Sequence, residues 1–147
     1  VYAHKKQVKL MGLNNEGKMT GLAHIGLYIS DIERTKKFYT EILGFEIMCE
    51  TTLTNSDGVI KICFLSLGNL CIEAVQHPKR RELSDGWFEH VAIRVENIEA
   101  VKMQLEEKGV RFDVEDITFA PGFWKNGSKW ILFRGPDNEH IEINEVL

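Results

Sequence analysis

Hydrophobic and polar positions fall into short runs along this chain, and the runs occur in one order twice. Leu22 to Ile29 is apolar and bounded by Gly21 and Ser30, which predicts a strand. Ser30 followed by Glu33 predicts a capping box at a helix start, with each residue bonding back to the other's turn. Ile32, Phe38, Tyr39, Ile42 and Leu43 then form a helical stripe that Gly44 ends. Phe45 to Leu53 and Val59 to Leu67 read as strands on either side of Asn55-Ser56-Asp57-Gly58. Gly68-Asn69 is a hairpin turn, and Leu70 to Val75 is a fourth strand. The second half repeats the order. Phe88 to Val95 is a strand, and Asn97 caps a helix bearing Ile98, Val101, Met103 and Leu105 that stops at Gly109. Val110 to Thr118 and Lys129 to Arg134 are strands, Gly135-Pro136-Asp137-Asn138 is a turn, and Glu139 to Val146 closes the chain. The pattern predicts an α+β fold built from two βαβββ modules.

The repeat aligns four polar residues that otherwise look scattered. His24 and His90 occupy equivalent places in the first strands, and Glu73 and Glu142 in the last. Side chains alternate across a strand, so His24 shares a face with Gly26 and Tyr28, and Glu73 with Cys71 and Val75. In the second module His90, Ala92 and Arg94 share a face, as do His140, Glu142 and Asn144. A carboxylate in an apolar strand is costly to bury unless it is paired or on a metal. Taken singly, Glu73 reads as a salt-bridge partner, each histidine as a satisfied core imidazole, and Glu142 as part of a frayed terminal strand. Those readings do not account for the recurrence of one His and one Glu in each module. Two imidazoles and two carboxylates suit one borderline divalent ion: Zn, Ni, Co, Mn or Fe. Without thiolates the set is unlike a structural zinc site, and a six-coordinate ion would keep two positions open for oxygens.

Composition narrows the class. The 147 residues fit one domain, with 44% hydrophobic and 27% charged residues. We read 1–18 as an N-terminal extension or cloning remnant and 19–147 as a single domain made of modules 20–76 and 87–147, joined by a charged linker. The net charge of −4 argues against nucleic-acid binding. No apolar run approaches the roughly 18 residues of a membrane span. Cys49, Cys63 and Cys71 form no CxxC pair and read as reduced core residues, which points to the cytoplasm.

The segments LAHIGLYISDIERTKKFYTEILGFEI, CIEAV, FEHVAIRVENIEAV and RGPDNEHIEINEV resemble the vicinal oxygen chelate superfamily, and within it glyoxalase I-like (lactoylglutathione lyase-like) proteins. The resemblance covers Met19 to Leu147 and implies eight paired strands in a cup-shaped mixed sheet, the glyoxalase/dioxygenase-type fold. It implies His24, Glu73, His90 and Glu142 as metal ligands. It places the proton-moving glutamate at Glu142, with Glu73 as its pseudo-symmetric partner. The implied chemistry is a metal-dependent lyase or isomerase reaction on a small substrate with adjacent oxygens, by proton transfer through a metal-stabilised enediolate. Two positions depart from the glutathione-using enzymes, which carry Arg and Asn where this chain has Tyr28 and His77. Methylmalonyl-CoA epimerase resembles the chain too, but has Gln where Glu73 stands.

Arg94, the counterpart of Tyr28, reads as a holder of an anionic substrate group or as a strand Arg paired to a carboxylate. Phe119, Pro121, Gly122, Phe123, Trp124 and Lys125 form a loop that reads as a lid or pocket wall, or as packing. The expected substrate contacts are therefore Arg94, Tyr28, Trp124 and Lys125. Two other readings stay open: an epimerase or related enzyme with a non-glutathione anionic substrate, and a non-catalytic small-molecule binding or resistance protein. The modules can pair within one chain or across a homodimer. The expected partner is a small molecule, with neither nucleic acid nor membrane.

Overall fold

The computed structural model describes residues 22–80, 82, 84–86 and 88–147; the expected extension, 1–18, lies outside them. Module 1 runs β1 (Ile25–Ile29), α1 (Ile32–Lys37), a π-helical turn (Phe38–Ile42), β2 (Glu46–Asn55), β3 (Gly58–Leu67) and β4 (Leu70–Gln76). Module 2 runs β5 (Val91–Arg94), α2 (Ile98–Glu107), β6 (Thr118–Ala120), β7 (Ser128–Arg134) and β8 (His140–Val146). Each module forms a four-stranded mixed sheet, ordered β1-β4-β3-β2 and β5-β8-β7-β6. The first and last strands of each module run parallel, and the other neighbours are antiparallel. This is the predicted βαβββ order, twice.

The helix starts follow side-chain chemistry. Asp31, not Ser30, caps α1: its Oδ1 accepts from the N–H groups of Glu33 and Arg34, both at 3.0 Å. Those bonds hold its carboxyl below the usual carboxylate range, the Arg34 N–H contributing most. Ser30 is drawn elsewhere, its N–H donating to Asp137 Oδ1 at 2.9 Å. Asn97 caps α2 as expected, accepting from Ala100 N–H. Gly44 and Gly109 take positive φ just beyond the helical segments, the left-handed stops that the sequence predicts. The last turn of the first helix widens into a π turn, which seats Tyr39 at 2% exposure in the core.

Two expectations need correction. Val110 to Thr118 is not a strand: β6 holds only Thr118–Ala120, and Phe112 makes an isolated bridge to Phe133. Val110 still turns inward and Phe112 packs its ring on Phe133, but Asp113 turns its carboxylate to His140 at 2.7 Å. The segment is held by side chains rather than by a ladder. The cysteines are free, but only Cys63 is buried; Cys71 is half-buried and Cys49 exposed. Burial pushes the Cys63 thiol up to about 11.

The buried side chains of both modules form one cluster, Leu65, Ile72 and Tyr39 of the first joining Ile98, Ile131 and Phe133 of the second. Polar contacts cross the same boundary. The Asp137 carboxylate, 3% exposed, accepts from Ser30 N–H, from Arg34 Nη2 at 2.8 Å and from Thr35 Oγ1 at 3.3 Å. Tyr39 donates its hydroxyl to Glu139 Oε1 at 2.9 Å, and Lys108 Nζ reaches the carbonyls of Glu41 and Ile42. Glu139 folds beneath Gly135, where any side chain would strike its carboxylate. No helix among the described residues is long and apolar enough to cross a membrane.

Burial raises the Glu139 carboxyl above its ordinary 4.5. The folded chain therefore holds this proton more tightly than the unfolded chain does. The stability it contributes is fully present below the unfolded pKa and is lost as pH rises through the folded one. Glu139→Gln keeps an oxygen for Tyr39 but cannot titrate. In urea titrations, the advantage of the wild type over this variant is expected to be largest at acid pH and to shrink toward neutrality. A difference that does not vary with pH would refute the linkage.

Candidate functional site

The strand registers place one His/Glu couple on each sheet by the same rule. Gly26 lies opposite Glu73 in the β1–β4 ladder, and Ala92 lies opposite Glu142 in the β5–β8 ladder. His24 and His90 each stand two residues earlier on the same face, one residue before their strands begin. Each histidine therefore reaches its glutamate along the same diagonal. His24 Nε2 is 3.2 Å from Glu73 Oε2, and His90 Nε2 is 3.6 Å from Glu142 Oε2. Small residues at 26 and 92 leave the space between them open, with a Cβ at Gly26 meeting only Glu73 Oε2, at 3.9 Å.

The first of these spans lies within the range that a shared ion sets, and the second lies just beyond it. Two donors each about 2.1 Å from one ion stand roughly 3.0 Å apart at a right angle and about 3.4 Å apart at the tetrahedral angle. The structure brings the four expected ligands together as two couples on two sheets. Among the described residues no group of three or more His, Cys, Asp or Glu side chains is placed to hold a metal ion.

The second couple is built more firmly than the first. Glu142 is 8% exposed, and its Oε1 accepts from Asn144 Nδ2 at 2.8 Å. Asn144 Oδ1 accepts in turn from the fully buried Ser128 hydroxyl at 3.0 Å. The other oxygen of Glu142 is the one nearer His90. On the far side of that ring, Nδ1 meets Glu89 Oε2. With Nδ1 engaged by Glu89, Nε2 is the ring nitrogen turned toward Glu142. His90, then His140, hold the Glu89 carboxyl below its ordinary range. Glu89 Oε1 meets His140 Nδ1 at 2.8 Å, and His140 Nε2 meets Asp113. Module 1 has Ala23 before its histidine and Val75 at the place of Asn144, so Glu73 gains neither support. Glu73 is also the more open of the two, its side chain 25% exposed against 11% for Glu142.

Sequence reasoning missed Glu89, Asn144, Ser128 and Asp113 as site residues. Asn144 was within reach, because it alternates onto the face of Glu142. Glu89 sits directly before His90 and could have been noticed for that, but its bond to His140, 51 residues away, and that of Asp113, 27 residues away, carry no local signal.

The expected substrate contacts divide. Arg94 and Trp124 line a cavity of about 840 Å³ over β5, β7 and β8, with His90 at its other end and Glu142 also lining it. Tyr28 instead stacks near His77, ring centroids 5.1 Å apart, beside a smaller cavity of about 360 Å³ that also holds Glu73. Lys125 is exposed and is not among the residues lining the larger cavity.

Fold and site together define a two-module α+β protein with a repeated His/Glu couple on its sheet faces. Residues 21–143 match the family described as the Glyoxalase/Bleomycin resistance protein/Dioxygenase superfamily, and the chain belongs to it. It is 30% identical to the uncharacterized protein YwbC of Bacillus subtilis, over 82% of this chain and 93% of that one. It is 30% identical to the mitochondrial methylmalonyl-CoA epimerase of Homo sapiens, over 65% and 58%, and 27% identical to the lactoylglutathione lyase of Salmonella typhimurium, over 85% and 92%. Among solved structures, a glyoxalase family protein from Enterococcus faecalis superimposes with a TM-score of 0.67 at 27% identity, over 85% and 97% of the chains. The fosfomycin resistance protein FosX of Listeria monocytogenes, solved with Mn(II) and sulfate, shares the fold with a TM-score of 0.65 at 19% identity, over 88% and 95%.

Proposed function

We propose that the chain is a metal-dependent glyoxalase-like lyase or isomerase, holding one divalent ion on His24, Glu73, His90 and Glu142. The observation that carries this reading is the repeated couple, one His and one Glu facing each other on each sheet, with donor spans of 3.2 and 3.6 Å that are close to those of two ligands of a common ion. The lactoylglutathione lyase relative and the Mn(II) complex of FosX support it. A divalent ion at these donors supplies Lewis acidity toward two adjacent substrate oxygens. Glu142 takes the proton from the carbon beside them and returns it to the neighbouring carbon. Asn144 keeps one oxygen of Glu142 fixed while the other faces the reaction. Glu89 holds the ring of His90.

The completing couple comes from a second copy of the chain. On the single chain both site faces stand open: His24, Gly26 and Tyr28 are exposed, as are His90, Ala92 and Arg94. The far edge strand of the first sheet, β2, is exposed throughout and displays Ile47, Met48 and Leu53. The free cysteines agree with a reducing, cytoplasmic setting.

Metal analysis tests this directly. The wild type is expected to hold one ion per His24-Glu73-His90-Glu142 set, and His24→Ala and His90→Ala each to hold none. Unfolding and refolding the two variants together makes mixed dimers in which one site is intact, so metal binding returns. No recovery in a verified mixed dimer places both couples in one chain. Unchanged metal in the double variant refutes the site. Asn144→Ala is expected to weaken the ion's binding about 10- to 100-fold in calorimetric titration, the usual cost of losing a ligand's supporting hydrogen bond.

The epimerase relative and the Arg94 cavity favour a second reading, an isomerase acting on a non-glutathione anion. Full metal with no turnover of methylglyoxal plus glutathione would select it over the first. No turnover of any candidate would leave a binding or resistance protein.

A further inference from the structure

The cavity over β5, β7 and β8 has two chemically different ends. His90 stands at one, with Glu142 further along, at the level of Ala92. At the other is Arg94, four residues beyond His90 on the same face, or about 13 Å along the strand, and two residues, about 7 Å, beyond the level of Glu142. Arg94 forms no ion pair or hydrogen bond among the described residues, unlike Arg34 on Asp137 and Arg134 on Asp85. Its register neighbour Asn144 is no partner, being committed to Glu142 and Ser128. A guanidinium stays charged at any physiological pH and presents a planar fork of donors suited to an oxyanion.

The facing wall is apolar, with Leu132 level with Glu142 and Trp130 level with Asn144 and Arg94. Trp130 and Leu132 project from β7, and Phe123 and Trp124 come from the loop before it. Trp124 is held at a φ of 58°, the left-handed region, which is costly for a bulky side chain. The loop is tied at both ends: Phe123 N–H donates to the Ala120 carbonyl at 3.2 Å, and Leu147 N–H to the Gly127 carbonyl at 3.1 Å. The Phe119 ring presses on Gly127 so closely that a Cβ there would lie 2.7 Å from it. Such strain persists only where its surroundings enforce it, and here it keeps an indole at the cavity.

We infer that this site takes an elongated organic anion: an apolar, preferably aromatic body bearing a carboxylate or other oxyanion for Arg94, with the reacting oxygens at its far end. The far end rests on the proposed metal site; the Arg94 end stands without it. A short neutral dicarbonyl would leave both the guanidinium and the aromatic wall unused. The volume of about 840 Å³ lies in the ordinary range for small-molecule sites.

The test is a binding titration on the full chain, followed by quenching of tryptophan fluorescence, before and after chelation of metal. The probes are 4-phenylbutyrate, phenylphosphonate and the neutral 4-phenylbutan-1-ol. At least one acid is expected to bind tenfold or more tightly than the alcohol, with and without metal. Whichever acid binds better identifies the oxyanion as planar or tetrahedral. Arg94→Met should erase the preference, Arg94→Lys should keep part of it, and Trp124→Ala should weaken acid and alcohol alike. Equal binding of acids and alcohol, or a preference that survives Arg94→Met, would overturn the inference. Loss of the metal site alone would leave the preference intact, so the two readings fail separately.

Discussion

Asp137→Ala is expected to cost about 3 kcal/mol of folding stability. The carboxylate belongs to the β7–β8 turn of module 2, yet its main partners are Ser30, Arg34 and Thr35 of module 1. It is almost fully buried, while the Arg34 side chain is 49% exposed, so the Coulombic part of that pair is screened and small. The larger loss is in hydrogen bonding. Bonds to a charged acceptor contribute roughly 1.5–3 kcal/mol each, and removing the acceptor leaves the Ser30 N–H at a part-buried site without its partner. Since single domains are stable by only about 5–15 kcal/mol, this loss should be plain in a urea midpoint. Asp137→Asn, which keeps one oxygen, should recover part of it. A shift below about 1 kcal/mol for Asp137→Ala would mean that the shared apolar core alone docks the modules.

That contact also marks where sequence reading stops. The repeat was legible because each module writes its own pattern locally: apolar runs, an Asp or Asn at the helix start, a Gly after the helix, and an Ile-Glu pair in the last strand. The His/Glu couples were legible for the same reason, since a parallel register between first and last strands puts them on one face twice. The boundary between modules has no such period. Arg34 and Asp137 are separated by 103 residues, and Tyr39 and Glu139 by 100, so neither partner predicts the other. The capping misreading has the same origin. Ser30 and Asp31 are both competent caps, but the Ser30 N–H goes to the distant Asp137 and its hydroxyl to Arg34, while Asp31 takes the helix N–H groups. The proposed joining of the two couples would be a further long-range matter, set by how sheet faces meet rather than by any strand's own residues.

The second large effect concerns the two glutamates, which the repeat makes equivalent and their surroundings do not. Glu142→Gln is expected to lower kcat at least 100-fold on any substrate that is turned over, within the range that positioned acid–base groups contribute. Glu73→Gln should cost less than about tenfold, because the remaining oxygen can still serve as a ligand and no proton passes through it. The environment argues for this assignment. Glu142 is nearly buried, and the bond from Asn144 to its Oε1 fixes how the carboxylate is aimed, with Oε2 on the His90 side. Glu73 is the more exposed of the two and has Val75 in the place of Asn144, so among the described residues it has His24 beside it but no amide to fix its second oxygen. A base is effective when its lone pair is already aimed at the proton, so the pinned carboxylate is the better candidate. Exchange of the substrate proton with deuterated water, followed by NMR, reads the step itself rather than product release. Exchange abolished in Glu142→Gln and retained in Glu73→Gln supports the assignment. Equal losses would mean that the two carboxylates share the proton, and the reverse order would move the base to module 1.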